Sequence, residues 1–182
     1  MEIEYGLLAV LCCIAFFAGF VDAIVGGGGL IQTPASLILM PSFPVAVVIG
    51  SLKIPSFSGT FFAVQQYIKK VQMKWKLLTI ICTVAFFASF AGSQLLTVVS
   101  NHFMKPVLLI VLLFVAIYTF IKKDFGQQKV KILSKQKELV TAIIISLVLG
   151  FYDGFIGPGA GSFFILAFIS LLGYDFLHAS AQ

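Results

Sequence analysis

Residues 19–29 have the sequence Gly-Phe-Val-Asp-Ala-Ile-Val-Gly-Gly-Gly-Gly, and residues 150–160 have the sequence Gly-Phe-Tyr-Asp-Gly-Phe-Ile-Gly-Pro-Gly-Ala. The two stretches align at a constant offset of 131 residues, from Gly19 to Gly150, and share Gly, Phe, Asp, Gly and Gly. Further along the same offset, residues 47–51 match residues 178–182 only loosely in size. Similarity at a fixed offset indicates an internal repeat. Each copy predicts a helix that is interrupted by a glycine-rich turn.

Long apolar stretches surround both copies. The chain is 60% hydrophobic and 10% charged, whereas an ordinary soluble domain is roughly 25% charged, and its mean hydropathy is +1.08. The longest stretches with one charge or none are residues 6–40, 41–68, 77–101, 106–121 and 139–174. A membrane-spanning helix needs about 20 such residues, and an open sheet would leave backbone groups unpaired in lipid. The sequence therefore predicts an all-α polytopic membrane protein with six to seven embedded segments.

The lysines predict how these segments are oriented. The formal net charge is +5, no arginine is present, and ten of the twelve cations fall in two loops. These are Lys69, Lys70, Lys74 and Lys76, and Lys122, Lys123, Lys129, Lys131, Lys135 and Lys137. The positive-inside rule places both loops in the cytoplasm, so the basic charge reflects topology and does not call for a nucleic-acid partner.

This orientation makes the two copies antiparallel. Residues 77–121 become a hairpin with its tip at residues 100–106 on the far side, and the turn at residues 40–44 lies there as well. Residues 6–40 are barely long enough for two full passes, so two short helices or a re-entrant hairpin with the glycines at its tip fits better. The predicted organisation is a first repeat at 1–125, a lysine-rich linker at 126–137 and an incomplete second repeat at 138–182. Such a chain looks like a piece of a longer protein or a shortened gene product.

Inverted repeats with broken helices are typical of secondary transporters, whose substrate site lies near the midplane between the repeats. Glycine turns free backbone N–H groups, and a helix that resumes after the turn directs its positive end there, which favours an anion. An alternative is that the glycines only allow close helix packing. The candidate substrate-binding residues are Gly26, Gly27, Gly28, Gly29, Gln32, Lys53, Ser56, Gly157, Gly159, Gly161 and Ser162.

Three ionisable residues lie within otherwise apolar spans. Lys53 is the only cation in residues 41–68, and an ionisable group inside the membrane is a functional candidate by default. Asp22 and Asp153 each precede a glycine turn by four residues. They are expected either to accept hydrogen bonds from amides of the broken helix or to bind a coupling proton or cation. The first role is favoured, because a fixed anion would repel an anionic substrate.

Other functional classes receive less support. Cys12, Cys13 and Cys82 lack metal-site spacing, and only two histidines, His102 and His178, are present, neither near a glycine turn. The sequence therefore predicts no enzyme activity, no metal and no cofactor. An anion channel or an accessory subunit of a larger membrane complex remains an alternative to a transporter. The expected partners are the lipid bilayer and a small anionic substrate, while a homodimer stays open.

The residues also resemble a known family. The repeated signatures of the TauE/SafE sulfite exporter family are similar to three parts of this sequence. These are Asp22 to Pro34, the segments 50–53 and 58–60, and Gly150 to Ser162. The resemblance implies a multi-pass transporter of sulfite, sulfonates or related anions in the cell membrane. Members of the family occur in bacteria, archaea and plants, and a bacterial or archaeal inner membrane is the expected location. The resemblance also implies that Lys53 and the glycine turns belong to the substrate region. The chain ends before the second copy reaches a counterpart of Lys53, which leaves the substrate open.

Overall fold

The computed structural model describes residues 5–25, 27–121 and 133–181, and within these ranges the chain forms helices and no strand. The helices are α1 (Tyr5–Val25), α2 (Gly29–Leu39), α3 (Val45–Lys70), α4 (Trp75–Val98), α5 (Asn101–Ile121), α6 (Lys135–Phe155), α7 (Ala160–Ala167) and α8 (Phe176–Ala181). A π-helical turn, Phe168–Leu172, extends α7. The all-α class is confirmed.

Seven of these segments are apolar enough to lie in a membrane. Helices α1, α3, α4 and α6 are also long enough to cross one, α2 and α7 with its π-helical turn are shorter, and α5 is apolar over residues 101–114, where its side chains are described. Large apolar side chains point outward along them, for example Phe86 and Phe87 on α4, which are 67% and 65% exposed. This outer surface matches lipid better than water. The chain is therefore a polytopic helical membrane protein, as its sequence predicts.

Helices α4 and α6 pack against each other in parallel and at very short range. A β-carbon at Gly150 would lie 2.9 Å from the Cα of Ala85, and one at Gly154 would lie 1.9 Å from the carbonyl oxygen of Ser89. A β-carbon at Gly92 would likewise lie 2.3 Å from the carbonyl oxygen of Phe151. Small residues let membrane helices approach until their backbones touch. Gly150 and Gly154 therefore allow α6 to pack backbone to backbone on α4.

Contacts at the two ends of the molecule show which elements share a face. At one end, here called the lysine-rich end, Lys74 forms an ion pair with Glu138. The hydroxyl of Tyr174 donates to the same carboxylate. Burial and this hydrogen bond raise the pKa of Tyr174, so the hydroxyl stays protonated and keeps donating. The start of α4, the start of α6 and the segment after the π-helical turn therefore lie together.

The opposite end is formed by the α2–α3 and α4–α5 connections. The Val45 amide donates to Asn101 Oδ1 at 3.0 Å, and Lys105 Nζ donates to the carbonyl oxygen of Pro41 at 3.4 Å. The loop at 40–44 and the tip of the α4–α5 hairpin thus share a face, as expected. The tip itself is shorter than predicted, because α4 ends at Val98 and α5 already begins at Asn101, so only two residues connect them.

The hairpins α1–α2 and α6–α7 enter the molecule from its ends. Helix α6 starts at the lysine-rich end, and the chain returns there at Tyr174 after α7, so this unit is re-entrant. Helix α2 instead leads from the first glycine turn to the opposite end, where Pro41 meets Lys105. A β-carbon at Gly28 would overlap the carbonyl oxygen of Ala18 at 2.3 Å, so the chain folds back on α1 at this turn. Helices α2 and α7 therefore run from the glycine turns in opposite directions.

Helix boundaries recur at the offset of the sequence repeat. Helix α2 begins at Gly29 and α7 at Ala160, while α3 begins at Val45 and α8 at Phe176, each pair 131 residues apart. The turns themselves differ in conformation. Gly27 has a left-handed φ of 89°, yet it aligns with Pro158, whose ring fixes φ at negative values. The duplication therefore stays a prediction that the helix boundaries support and the turn conformations do not.

Of the predicted linker, residues 126–132 lie outside the described residues, as do Lys122, Lys123, Lys129 and Lys131. Helix α6 begins at Lys135, where Ser134 caps it by accepting a hydrogen bond from the Lys137 amide at 3.4 Å. Helix α6 thus begins within the predicted linker, three residues before the predicted second repeat at 138.

Candidate functional site

The first glycine turn joins α1 to α2 and is held by an aspartate. Oδ1 of Asp22 accepts a hydrogen bond from the Gly28 amide at 2.7 Å. Gly28 has no room for a side chain, because Ala18 and Asp22 pack against it. Asp22 therefore stabilises the backbone where the helix is broken. Gly26, which the sequence also assigns to this site, lies outside the described residues.

Several amides of the first turn are already satisfied within it. The Leu30 amide donates to the carbonyl oxygen of Gly27 at 2.8 Å, and the Ile31 and Gln32 amides donate to that of Gly28 at 3.1 and 3.0 Å. The sequence predicts that the N–H groups of this turn face a ligand. For Gly28 the structure differs from this prediction, because its N–H is bonded to a carboxylate of the same hairpin.

The second glycine turn joins α6 to α7 and is closed by a tyrosine. Gly157 and Gly159 have φ of 90° and 80°, in the left-handed region that favours glycine. The hydroxyl of Tyr152 donates to the carbonyl oxygen of Pro158 at 2.8 Å, and the Gly157 amide donates to the carbonyl oxygen of Tyr152 at 3.1 Å. Sequence reasoning misses this role of Tyr152, since nothing in its spacing separates it from a packing aromatic.

The two turns touch each other. A β-carbon at Gly29 would lie 3.5 Å from the Cα of Pro158, and one at Gly27 would lie 3.3 Å from Oγ of Ser162. Residues about 130 positions apart in the chain therefore meet backbone to backbone. The starts of α2 and α7 adjoin this contact, as the sequence predicts for a site between two broken helices.

Lys53 brings a positive charge to the second turn. Its Nζ donates to Oδ1 of Asp153 at 2.7 Å and to the main-chain oxygen of Asp153 at 3.0 Å. A β-carbon at Gly157 would lie 3.4 Å from the same Nζ. At the rise of an α-helix, Lys53 lies about 12 Å along α3 from Val45 and about 26 Å from Lys70. The ammonium is therefore inside the span and beside the turn.

The Lys53–Asp153 pair is not sealed from its surroundings. The side chains of Lys53 and Asp153 are 42% and 35% exposed. Ion pairs with this much exposure exchange partners more easily than pairs in a closed core. The two aspartates also differ from each other, because Asp22 bonds an amide of its own turn whereas Asp153 bonds a cation from α3. The expectation that both would hold backbone amides is therefore met only by Asp22.

The remaining candidate residues are placed less closely. Gln32 and Ser162 are half-buried on the first turns of α2 and α7, and Gly161 is exposed with open space where a β-carbon would lie. Ser56 is exposed, and its hydroxyl donates to the carbonyl oxygen of Leu52 at 2.9 Å. The Ser56 hydroxyl thus bonds its own helix, a common use of serine in helices. The compact site consists of the two turns, Lys53, Asp153 and Ser162.

Replacing Asp22 with alanine should loosen the first turn. The Gly28 amide would lose its acceptor, which costs about 1–3 kcal/mol when the donor stays unsatisfied. We expect a lower thermal unfolding midpoint in detergent for Asp22→Ala, and a smaller change for Asp22→Asn, whose amide oxygen can still accept. Equal midpoints for the two variants would contradict the capping role.

Comparisons with known proteins agree with this membrane architecture. The family described as Sulfite exporter TauE/SafE matches residues 11–182. A probable membrane transporter protein of Haemophilus influenzae is 34% identical over 182 residues, which are 100% of this chain and 70% of that protein. A probable membrane transporter protein, ORF9, of Sinorhizobium is 34% identical over 185 residues, 100% of this chain and 68% of that protein.

A third relative, the probable membrane transporter protein YfcA of Escherichia coli K12, is 32% identical over 178 residues, 97% of this chain and 64% of that protein. No solved structure matches the chain. The names of these relatives describe membrane transporters and not enzymes. Since the family match covers nearly the whole chain, the protein belongs to the TauE/SafE sulfite exporter family.

Proposed function

We propose that this protein is a secondary transporter of a small sulfur oxyanion, such as sulfite or a sulfonate, and that the anion binds where the two glycine turns meet. The observation that carries the proposal is the position of Lys53, whose ammonium lies beside the second turn and within a membrane span. A cation there is expensive unless it serves a ligand or a partner. Lys53 supplies the positive charge that an oxyanion requires.

The helix ends around Lys53 support an anionic ligand. Helices α2 and α7 begin next to the contact between the turns. The first turn of a helix carries a partial positive charge from its N–H groups, and anions bind at such ends. Two helix starts and one ammonium at one place favour an anion over a cation or an uncharged solute.

An alternating-access mechanism follows from the opposed directions of α2 and α7. We propose that residues 1–125 and 138–182 form inverted repeats joined by the segment 126–137. In transporters built this way, one repeat rocks against the other around a fixed site. The recurring helix boundaries support the proposal. The choice of sulfur oxyanions rests on the description of the family that the chain belongs to.

Uptake of sulfite into proteoliposomes tests the proposal. Purified protein should catalyse saturable sulfite uptake, whereas a channel would give flux that follows voltage and saturates weakly. Lys53→Gln should lower uptake at low sulfite about ten- to hundredfold, since a hydrogen bond to a charged group contributes about 1.5–3 kcal/mol.

Lys105→Gln is the matched control, because Lys105 lies at the opposite end on α5 and contacts a loop carbonyl. It should transport like the unchanged protein. Uptake that is equal in Lys53→Gln and Lys105→Gln would overturn the assignment of Lys53. An absence of uptake in the unchanged protein, despite a folded chain, would favour an accessory subunit.

A further inference from the structure

The ammonium of Lys53 already has an anionic partner within the protein, which is Asp153. Oδ1 of Asp153 lies 2.7 Å from Nζ, and the main-chain oxygen of the same residue lies 3.0 Å away. An ammonium has three donors, so Asp153 occupies two of them. A carboxylate is itself an oxyanion. One donor remains, so an oxyanion that accepts two or more hydrogen bonds from Lys53 must compete with Asp153 for them.

Displacing Asp153 leaves a charge without a partner. A carboxylate that loses its cation within a membrane span is unfavourable unless it is neutralised. In the described part of the chain, the elements around the pair offer no second cation. Helices α2 and α7 carry no charged residue, and on α1 Asp22 is bonded to the Gly28 amide.

Titratable groups on α6 and at the start of α8 are engaged as well. On α6, the Tyr152 hydroxyl donates to the carbonyl oxygen of Pro158. On α8, which packs on α3, His178 pairs with Asp175, the residue that precedes this helix. Protonation therefore neutralises the displaced carboxylate of Asp153 without requiring a second cation.

We propose that Asp153 is the coupling group of this transporter, and that it binds one proton for each anion that binds Lys53. The proton comes from the aqueous phase on the side from which the anion enters, and it adds to the Asp153 carboxylate to give the carboxylic acid. Lys53 stays an ammonium and transfers its hydrogen bonds from Asp153 to the anion. The cycle is then an anion–proton symport. This inference rests on the proposed function, since it requires that an anion binds at Lys53.

The pH dependence of anion binding tests this coupling. Sulfite, sulfate and methanesulfonate are titrated against purified protein between about pH 6 and pH 8, where an ordinary carboxyl is ionised. With one proton bound per anion, Kd should rise about tenfold per pH unit. In Asp153→Asn, whose side chain is always neutral, the Kd of sulfate and of methanesulfonate should not change with pH. Sulfite itself titrates in this range, but equally for every variant, so the difference between variants reports Asp153.

Two further variants serve as controls. Asp153→Glu keeps a titrating carboxyl, so its Kd should still depend on pH. A purely structural role of Asp153 predicts instead that Asp153→Glu and Asp153→Asn show the same pH dependence. Asp22→Asn changes the aligned aspartate of the first copy, and the new amide oxygen can still accept the hydrogen bond from Gly28. Anion binding to this variant should therefore keep its pH dependence.

Transport provides the second readout. In proteoliposomes, an inward proton gradient should drive accumulation of the anion by the unchanged protein above the equilibrium level, while Asp153→Asn should only equilibrate it. Equal pH dependence in the unchanged protein and in Asp153→Asn would overturn the coupling role, as would pH-independent binding to the unchanged protein. If no oxyanion binds to the folded, unchanged protein at any pH, the proposed function itself is wrong.

Discussion

Replacing Gly154 with valine is expected to prevent the protein from folding. A β-carbon at this position would lie 1.9 Å from the carbonyl oxygen and 2.6 Å from the carbonyl carbon of Ser89. These are backbone atoms of α4, so they cannot turn aside as a flexible side chain would. Overpacking typically costs about 1–3 kcal/mol even where side chains can adjust. Because α4 and α6 would have to separate, we expect a larger cost here.

Gly59→Val is the matched control for this change. Gly59 also lies inside a long helix, α3, and has open space around its β-carbon position. Size-exclusion chromatography in detergent should show a monodisperse peak for Gly59→Val, and aggregate or no protein for Gly154→Val. A monodisperse Gly154→Val protein with an unchanged unfolding midpoint would show that α4 and α6 do not pack as described.

Replacing Gly157 with valine is expected to reduce sulfite uptake to the level of empty liposomes. Gly157 has φ of 90°, which a β-branched residue adopts only with strain. Its β-carbon would lie 3.4 Å from Nζ of Lys53 and 3.3 Å from the main-chain oxygen of Asp153. The added methyl groups would then occupy the space in which an anion must reach the ammonium.

The control for this prediction is Gly19→Val, which lies in the first copy of the repeat and has open space around it. Uptake of labelled sulfite and the thermal midpoint are measured on both variants. The prediction requires that Gly157→Val loses uptake at a temperature where it is still folded. Normal uptake by Gly157→Val would place the anion elsewhere in the protein.

The helical class, the broken helices and Lys53 follow from the sequence because each has a local signal. Apolar runs of membrane length predict spans, glycines predict breaks, and a lone lysine in an apolar run stands out. The contact between the turns follows from the lysine topology combined with the repeat. Each of these features can be predicted from a single segment of sequence or from the symmetry between the two copies.

The pairing of Lys53 with Asp153 is not local, and the sequence analysis misses it. The two residues are 100 positions apart and meet only because α3 packs beside α6 near its end. A signal was present, since they are the only charges in the apolar stretches 41–68 and 139–174. Opposite charges inside a membrane tend to pair with each other. Electroneutrality could therefore have predicted this ion pair.

The packing of α4 on α6 had a signal too. Ala142, Ser146, Gly150 and Gly154 are small and recur every four residues, which places them on one face of α6. Gly150 is shared by the two copies and Gly154 aligns with Ala23, so the repeat by itself does not indicate a packing face. Which helix covers this face, by contrast, depends on tertiary packing that spacing does not encode.

The parallel packing of α4 and α6 also affects the electric field of the protein. Both helices start at the lysine-rich end, so their positive ends, each about +0.5, offset the negative ends of α3 and α5, which run toward this end, and leave the charge of the lysines uncancelled. The resulting potential attracts dissolved anions to this face and raises their local concentration. It decays over about 10 Å in 0.1 M salt, so capture of anions from this side should slow as ionic strength rises.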